Sequence, residues 1–399
     1  MLKTKKKVSL SKYIDRWLLL AAIGLAVFGF FMILSAEMGE ATADINVLSF
    51  ATLKQILNLV LALILLFLFT YKGHFFTNIK RTYYDYLYWI ILFVLLVPRI
   101  FSPVGGAYAW IRIAGFSIQP SEFAKVFIIV YSSKIFAKND PKKNSINLRN
   151  YLIKLLLYVG IVLVVQKDLG SAVVIGMIGY VCALIPPYET IKKYQNWMII
   201  GIILFIGFVI FALSPIGTKI LEHFTDDYRV LRFLSSANPF NYQYDSGYHL
   251  VMSLVSMAAG GLTGMGYGKS IHKFMNFPNP STDFILPVII EELGLLIGFG
   301  SVVLGYGIIL VRLAVNARRC HYARGKIIIT GTFMYFLVHF IFNVGGVSGL
   351  IPLTGVPLLL LSSGGSSLMA CMSAIGFSMS EIINYRRKLY IDENNSGKI

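Results

Sequence analysis

Ten apolar runs dictate what this 399-residue chain can become. They fall near 14–35, 49–70, 84–101, 121–137, 151–166, 169–186, 196–214, 284–311, 326–350 and 355–383. Each is close to the ~20 residues that carry a helix across the hydrocarbon core of a bilayer. No water bonds the backbone there, so only helices and closed barrels cross. Runs this continuous read as helices. Only 14% of the residues are charged and the mean hydropathy is +0.70, where a soluble globule carries about 25% charged residues. The chain reads as an all-α polytopic membrane protein with about ten transmembrane helices.

The formal net charge of +17 would suggest nucleic acid in a soluble protein. Here its distribution excludes that reading. The basic clusters are Lys5, Lys6 and Lys7; Lys72, Lys80 and Arg81; Lys138, Lys142, Lys143 and Arg149; Lys192 and Lys193; Arg312, Arg318, Arg319, Arg324 and Lys326; and Arg386, Arg387 and Lys388. They occupy the tails and the even-numbered loops, while the first loop holds Glu37, Glu40 and Asp44. By the positive-inside rule both termini are cytoplasmic. The expected organisation is a basic tail over 1–13, a single transmembrane domain over 14–385 and a polar tail over 386–399. The first run lacks a small-residue cleavage site and reads as a membrane helix, not a signal peptide. Cys182, Cys320 and Cys371 are scattered and read as packing residues.

One outer loop, about 215–283 between the seventh and eighth spans, is far longer than the rest. Long structured loops are usually functional. Tyr248 to Met257 suits a short helix, and the glycine-rich stretch 259–268 suits a segment dipping into the membrane against protein. Gly268-Lys269-Ser270 is not a phosphate loop, because Thr263 stands where that motif needs glycine. Arg229 and Arg232, three apart, are placed either to grip an anionic group or to pair with Asp226 and Asp227.

Acids within membrane segments are costly unless paired or functional. Asp283 stands where the long loop meets an apolar helix, and Glu291 and Glu292 follow inside that span. Asp283 is suited to accept a proton from a hydroxyl or to hold a divalent cation; a plain helix cap is the alternative. Glu122 and Lys125 share a helix face. They form a structural ion pair, line an outward-facing polar cavity, or both. Trp110 suits an interfacial anchor, and Lys167 and Asp168 an interfacial turn.

Taken in order, these segments resemble the SEDS family (shape, elongation, division and sporulation), the group of FtsW, RodA and SpoVE. The resemblance is carried by Gly105-Gly106 through Trp110, Gln119-Pro120-Ser121-Glu122 with Lys125, and Gln166 with Asp168-Leu169-Gly170. It continues through the glycine-rich loop, Thr282-Asp283-Phe284 to Glu291-Glu292, Leu353-Thr354-Gly355-Val356-Pro357 and Ser363-Gly364-Gly365-Ser366. It covers most of the chain. It implies a peptidoglycan glycosyltransferase that polymerises lipid II on the outer leaflet and works with a class B penicillin-binding protein. The family's essential aspartate maps onto Asp283, and its fourth-helix acid and base onto Glu122 and Lys125.

Tyr108-Ala109, Lys167, His249 and Met252 depart from the family pattern at substrate-facing positions, as does the run Leu358–Leu361. Gly346-Val347-Ser348-Gly349 looks nearer the division branch, FtsW, than RodA. The expected mechanism has Asp283 as base. Glu122, Lys125, Glu291, Glu292 and Trp110 support the cavity, and Arg229, Arg232 and Lys269 offset the diphosphate. The expected partners are lipid II, the transpeptidase and divisome proteins, in a bacterial plasma membrane at the septum. Magnesium or manganese at Asp283 is left open, and no organic cofactor is expected. The rivals are an elongation polymerase, a lipid II flippase and a noncatalytic scaffold. A concentration of intramembrane charges toward the outer ends is expected to speak against the flippase.

Overall fold

The structure, a computed structural model, describes residues 10–40, 45–113, 116–138, 140–221, 228–245, 247–275, 277 and 279–395. The first seven runs become α1 (Arg16–Glu40), α2 (Ile45–Asn78), α3 (Arg81–Val94), α4 (Pro120–Ile135), α5 (Asn144–Gly160), α6 (Leu169–Leu184) and α7 (Glu189–Leu213). The outer loop contributes α8 (Pro215–Leu221), α9 (Tyr228–Ala237) and α10 (Tyr248–Gly260). The last three runs give α11 (Ile285–Leu293) with α12 (Gly300–Arg319), α13 (Ala323–Val347) and α14 (Gly365–Asn395). Among the described residues the sole sheet is a hairpin before α4, β1 (Ile111–Ile113) against β2 (Phe116–Ile118), antiparallel with Arg112 opposite Ser117.

Among the described residues, eight helical stretches are long and apolar enough to cross a membrane. α4 and α6, each 16 residues, complete the ten. At 1.5 Å per residue these two span about 24 Å, less than the ~30 Å hydrocarbon core. Their polar starts bond each other inside the bundle, Gln119 Nε2 donating to Ser171 Oγ at 3.3 Å. α4 opens with Pro120 in its first turn, where the missing N–H costs nothing. α6 opens on Asp168, whose carboxylate accepts from the Ser171 N–H at 2.9 Å. Burial sorts the layers. In α14, 94% of the apolar window is inside the bundle, against 17% in α7. α4, α6, α13 and α14 form the centre, and α2 and α7 face lipid.

Two segments break the helical pattern. The eighth run is interrupted at Gly294, which takes φ +74 and ψ 174, a region open only to glycine. The freed backbone is met by the glycine-rich turn after α10. Leu295 N–H donates to Gly261 O at 3.0 Å and Leu296 N–H to Leu262 O at 3.1 Å. In return Met265 N–H reaches Glu291 O at 2.9 Å and Gly266 N–H reaches Glu292 O at 2.8 Å. Gly264 and Gly294 meet backbone to backbone. So 261–266 enters the bundle as the missing partner of a broken helix, the condition for irregular backbone at membrane depth.

The second break corrects the tenth run. Residues 352–364 are not helical, and α14 begins only at Gly365. Pro352 and Pro357 lack donors, and Gly355 takes φ +66. The apolar stretch Leu358–Leu361 is instead a buried turn with Leu360 at φ +67. Its carbonyls are satisfied from the surrounding helices, as Tyr306 donates to Leu359 O at 2.7 Å. At the chain ends the expected boundaries blur. α14 runs on to Asn395, and Arg386 pairs with Asp15 at 2.9 Å.

Candidate functional site

Asp283 is half-buried just ahead of α11, at the end of the bundle that the charge pattern assigns to the exterior. The cap position is Phe284, so Asp283 stands one residue before it. This differs from the simple helix-cap alternative. The stretch 281–283 is bonded to the non-helical segment before α14. Ser363 N–H donates to Ser281 O at 2.7 Å, and Ser362 Oγ donates to Thr282 O at 2.7 Å. Asn343 Nδ2 donates to both Asp283 O (2.9 Å) and Val356 O (3.0 Å). The space a side chain at Gly355 would fill lies 3.4 Å from Asp283 Oδ2. The carboxylate thus sits against the Thr354-Gly355-Val356 turn, near the positive end of α11.

The starts of α4, α6 and α14 meet at the same end of the bundle. Gln119 Nε2 donates to Asp168 Oδ2 at 3.0 Å, and Gln119 N–H to Ser366 Oγ at 3.3 Å. Trp110 is half-buried at the base of the hairpin. Its loop is tied to the α5–α6 turn by Tyr108 N–H to Gln166 O at 2.7 Å, and Arg99 lies over the Tyr108 ring at 3.9 Å.

Glu122 and Lys125 form a buried ion pair at 2.5 Å, each 1% exposed. Tyr335 donates to Glu122 Oε2 at 2.9 Å, and Lys125 Nζ lies 3.2 Å from His339 Nε2. The pair is therefore closed off within the bundle rather than lining an open cavity. It supports the segment against which Asp283 rests, through His339 Nδ1 to Pro357 O at 2.9 Å.

Glu291 and Glu292 do something other than floor the Asp283 site: they latch the outer loop. Glu291 accepts from Ser256 (2.7 Å), Ser270 (2.7 Å), Ile271 N–H (2.9 Å) and His272 Nδ1 (2.8 Å). Glu292 accepts from Ser35 (2.6 Å), Lys273 Nζ (2.7 Å) and Gly268 N–H (3.0 Å). Both carboxylates and Lys273 are fully buried. Lys269, expected to face the diphosphate, stands exposed on the segment so held. The side chains of Arg229 and Arg232 lie outside the described residues.

Lys273, Tyr335, His339 and Asn343 escaped the sequence reading. The signal for the last three was their spacing, i, i+4 and i+8 in an apolar run, which puts three polar groups on one helix face.

The expected concentration of charge at the outer ends is also corrected. Buried acids occur at the other end as well. Asp15 pairs with Arg312 at 2.6 Å, Glu381 with Arg324 at 3.4 Å, and the partly exposed Asp85 with Lys154 at 2.7 Å. Each is closed by a cation. Among the described residues no three of His, Cys, Asp and Glu gather into a metal cage. A single carboxylate fits magnesium only where substrate phosphates supply further oxygens.

These features define a polytopic membrane protein with two carboxylates, Asp283 and Asp168, at the starts of helices at one end of the bundle. The profile of the cell cycle protein family that joins FtsW, RodA and SpoVE matches residues 16–388. The chain is 31% identical over 372 residues to a probable peptidoglycan glycosyltransferase FtsW of Bacillus subtilis, covering 92% of this chain and 89% of that protein. It is 32% identical over 288 residues to the peptidoglycan glycosyltransferase RodA of Mycobacterium bovis, covering 69% and 57%. In fold it is similar to a chain from the solved structure titled "Structural coordination of polymerization and crosslinking by a peptidoglycan synthase complex". The TM-score is 0.67 at 22% identity, covering 93% of this chain and 98% of that one. The chain belongs to the SEDS family, the family of FtsW, RodA and SpoVE.

Proposed function

We propose that this protein is a peptidoglycan glycosyltransferase of the FtsW type, polymerising lipid II at the outer face of the membrane with Asp283 as its base. The observation that carries the reading is the half-buried Asp283: Asn343, Ser362 and Ser363 hold the backbone carbonyls of residues 283, 282 and 281, and its carboxylate lies against the Gly355 turn. Relatives that share most of the chain's length are named as peptidoglycan glycosyltransferases.

The carboxylate accepts the proton of an acceptor sugar hydroxyl as that oxygen attacks the anomeric carbon of the donor. The bond from that carbon to the polyprenyl diphosphate breaks, and the diphosphate leaves with the electron pair. Asp283 is the residue that would hold a divalent cation, which would supply charge neutralisation for the leaving diphosphate; Arg229, Arg232 and Lys269 are the protein's own cations for that role. Glu122–Lys125 supports the segment against which Asp283 rests, through His339, and Glu291 and Glu292 keep the long loop tied to the end of α11.

A class B penicillin-binding protein, which crosslinks the strands, is the proposed partner, and the division septum the proposed location. The FtsW branch is preferred to RodA because the FtsW of Bacillus subtilis aligns over 92% of this chain, against 69% for the mycobacterial RodA. The test is a gel assay for glycan strands from labelled lipid II, using purified protein with its transpeptidase. Asp283→Ala should give no strands. Strands at the wild-type rate from that variant would overturn the catalytic role.

A further inference from the structure

Tyr335, His339 and Asn343 stand four residues apart on α13 and form one continuous polar track. At its inner end Tyr335 donates to Glu122 Oε2 at 2.9 Å. At its outer end Asn343 joins Asp283 O and Val356 O. His339 is the middle link, fully buried, with Lys125 Nζ 3.2 Å from Nε2 and Pro357 O 2.9 Å from Nδ1.

The partners fix the ring's state. A carbonyl oxygen only accepts, so Nδ1 carries the hydrogen. A lysine ammonium only donates, so Nε2 must be the bare acceptor. His339 is thereby a neutral imidazole in one tautomer, spanning a fixed distance between a buried cation and the backbone next to the Asp283 turn. In the segment it supports, the internal backbone bonds are confined to the turn 358–364, so the position of 352–357 depends on side-chain struts such as His339 and Asn343. A shift of about 1 Å at a reacting group is enough to cost roughly 100-fold in rate.

We propose that His339 is a positioning residue for glycosyl transfer, transmitting the position of the buried Glu122–Lys125 pair to the turn against which Asp283 rests. The proposal rests on the reading of Asp283 as the base. It differs from a general packing role because it needs one donor and one acceptor on the same side chain, facing different partners. Glutamine offers both and should substitute; leucine, of comparable bulk, offers neither.

The experiment measures strand synthesis by the full chain over a range of lipid II concentrations. It is joined to 15N spectra of histidine-labelled wild type, with the His339 signal identified by its loss in His339→Gln. His339→Leu should lower kcat about 10- to 100-fold with KM within about threefold. His339→Gln should stay within about threefold of wild type in both, and the wild-type ring should show the Nδ1–H tautomer. The proposal is overturned if His339→Leu keeps kcat within about threefold, if His339→Gln is as slow as leucine, or if the ring carries its hydrogen on Nε2. If the leucine variant does not fold, the glutamine kinetics and the tautomer decide. An active Asp283→Ala beside a slow His339→Leu would sink the base assignment and leave the strut in place.

Discussion

The latch on the outer loop makes a quantitative prediction through Lys273→Met. The ammonium of Lys273 bonds Glu292 Oε1 at 2.7 Å, Ser35 Oγ at 2.9 Å and Gly268 O at 2.9 Å, with neither charged partner exposed. Methionine fills similar volume and donates nothing. Removing one partner of a buried pair costs about 3–5 kcal/mol, because the other charge is left uncompensated. Glu292 retains Ser35 and the Gly268 N–H, so the lower end applies.

At 1.4 kcal/mol per decade, ~3 kcal/mol corresponds to roughly a 100-fold rise in local opening. Hydrogen exchange should report it at Met265, Gly266 and Gly268, whose amides bond Glu291 and Glu292, while exchange in α14 stays unchanged. The double variant Lys273→Met with Glu292→Gln should recover part of the loss, since no buried charge is then stranded. The reasoning is refuted if the single variant leaves those amides protected within about threefold, or if the double variant is worse than the sum of its parts.

Two further outcomes follow from the geometry. Gly294→Ala should cost ~3 kcal/mol or more in thermal unfolding, because φ +74 with ψ 174 excludes a side chain and the new Cβ would collide with Leu262 O; an unchanged melting temperature would count against the helix break. Burial alone would raise the Asp15 carboxyl, but hydrogen bonds from Arg312, Asn316 and the Leu18 N–H together hold it below its ordinary value. A depressed carboxylate stabilises the fold above its unfolded pKa, and that contribution is lost as pH falls through the folded value. Asp15→Asn should therefore melt lower than wild type at pH ~7 by about 1–3 kcal/mol of stability, and the gap should close in acid, toward pH ~3. A gap that widens in acid would contradict the assignment.

What could be read from residues alone follows from how local each signal is. The ten spans were legible because apolar length is a property of the chain itself. Asp283 was legible because an acid at a membrane boundary is costly wherever it points. The buried turn at Leu358–Leu361 was hidden because four leucines look the same in a helix and in a packed loop; Pro352, Gly355 and Pro357 were the available warning. Glu291 and Glu292 were recognisable as important but not as a latch, since their donors arrive from Ser35, Ser256 and Lys273, far away in sequence. Nothing local separates Lys269 from Lys273, four residues apart on one loop; only the path of that loop buries one and exposes the other. The α13 track was overlooked for a different reason: Tyr335, His339 and Asn343 are each unremarkable, and only their common spacing is informative.

The measurement that bears most directly on the account is catalysis set beside binding for Asp283→Asn, in purified protein with labelled lipid II. Asparagine keeps the shape and removes the basic carboxylate. The account predicts lipid II affinity within about threefold of wild type and no glycan strands with or without added magnesium or manganese. Strand synthesis at the wild-type rate by Asp283→Asn would contradict it.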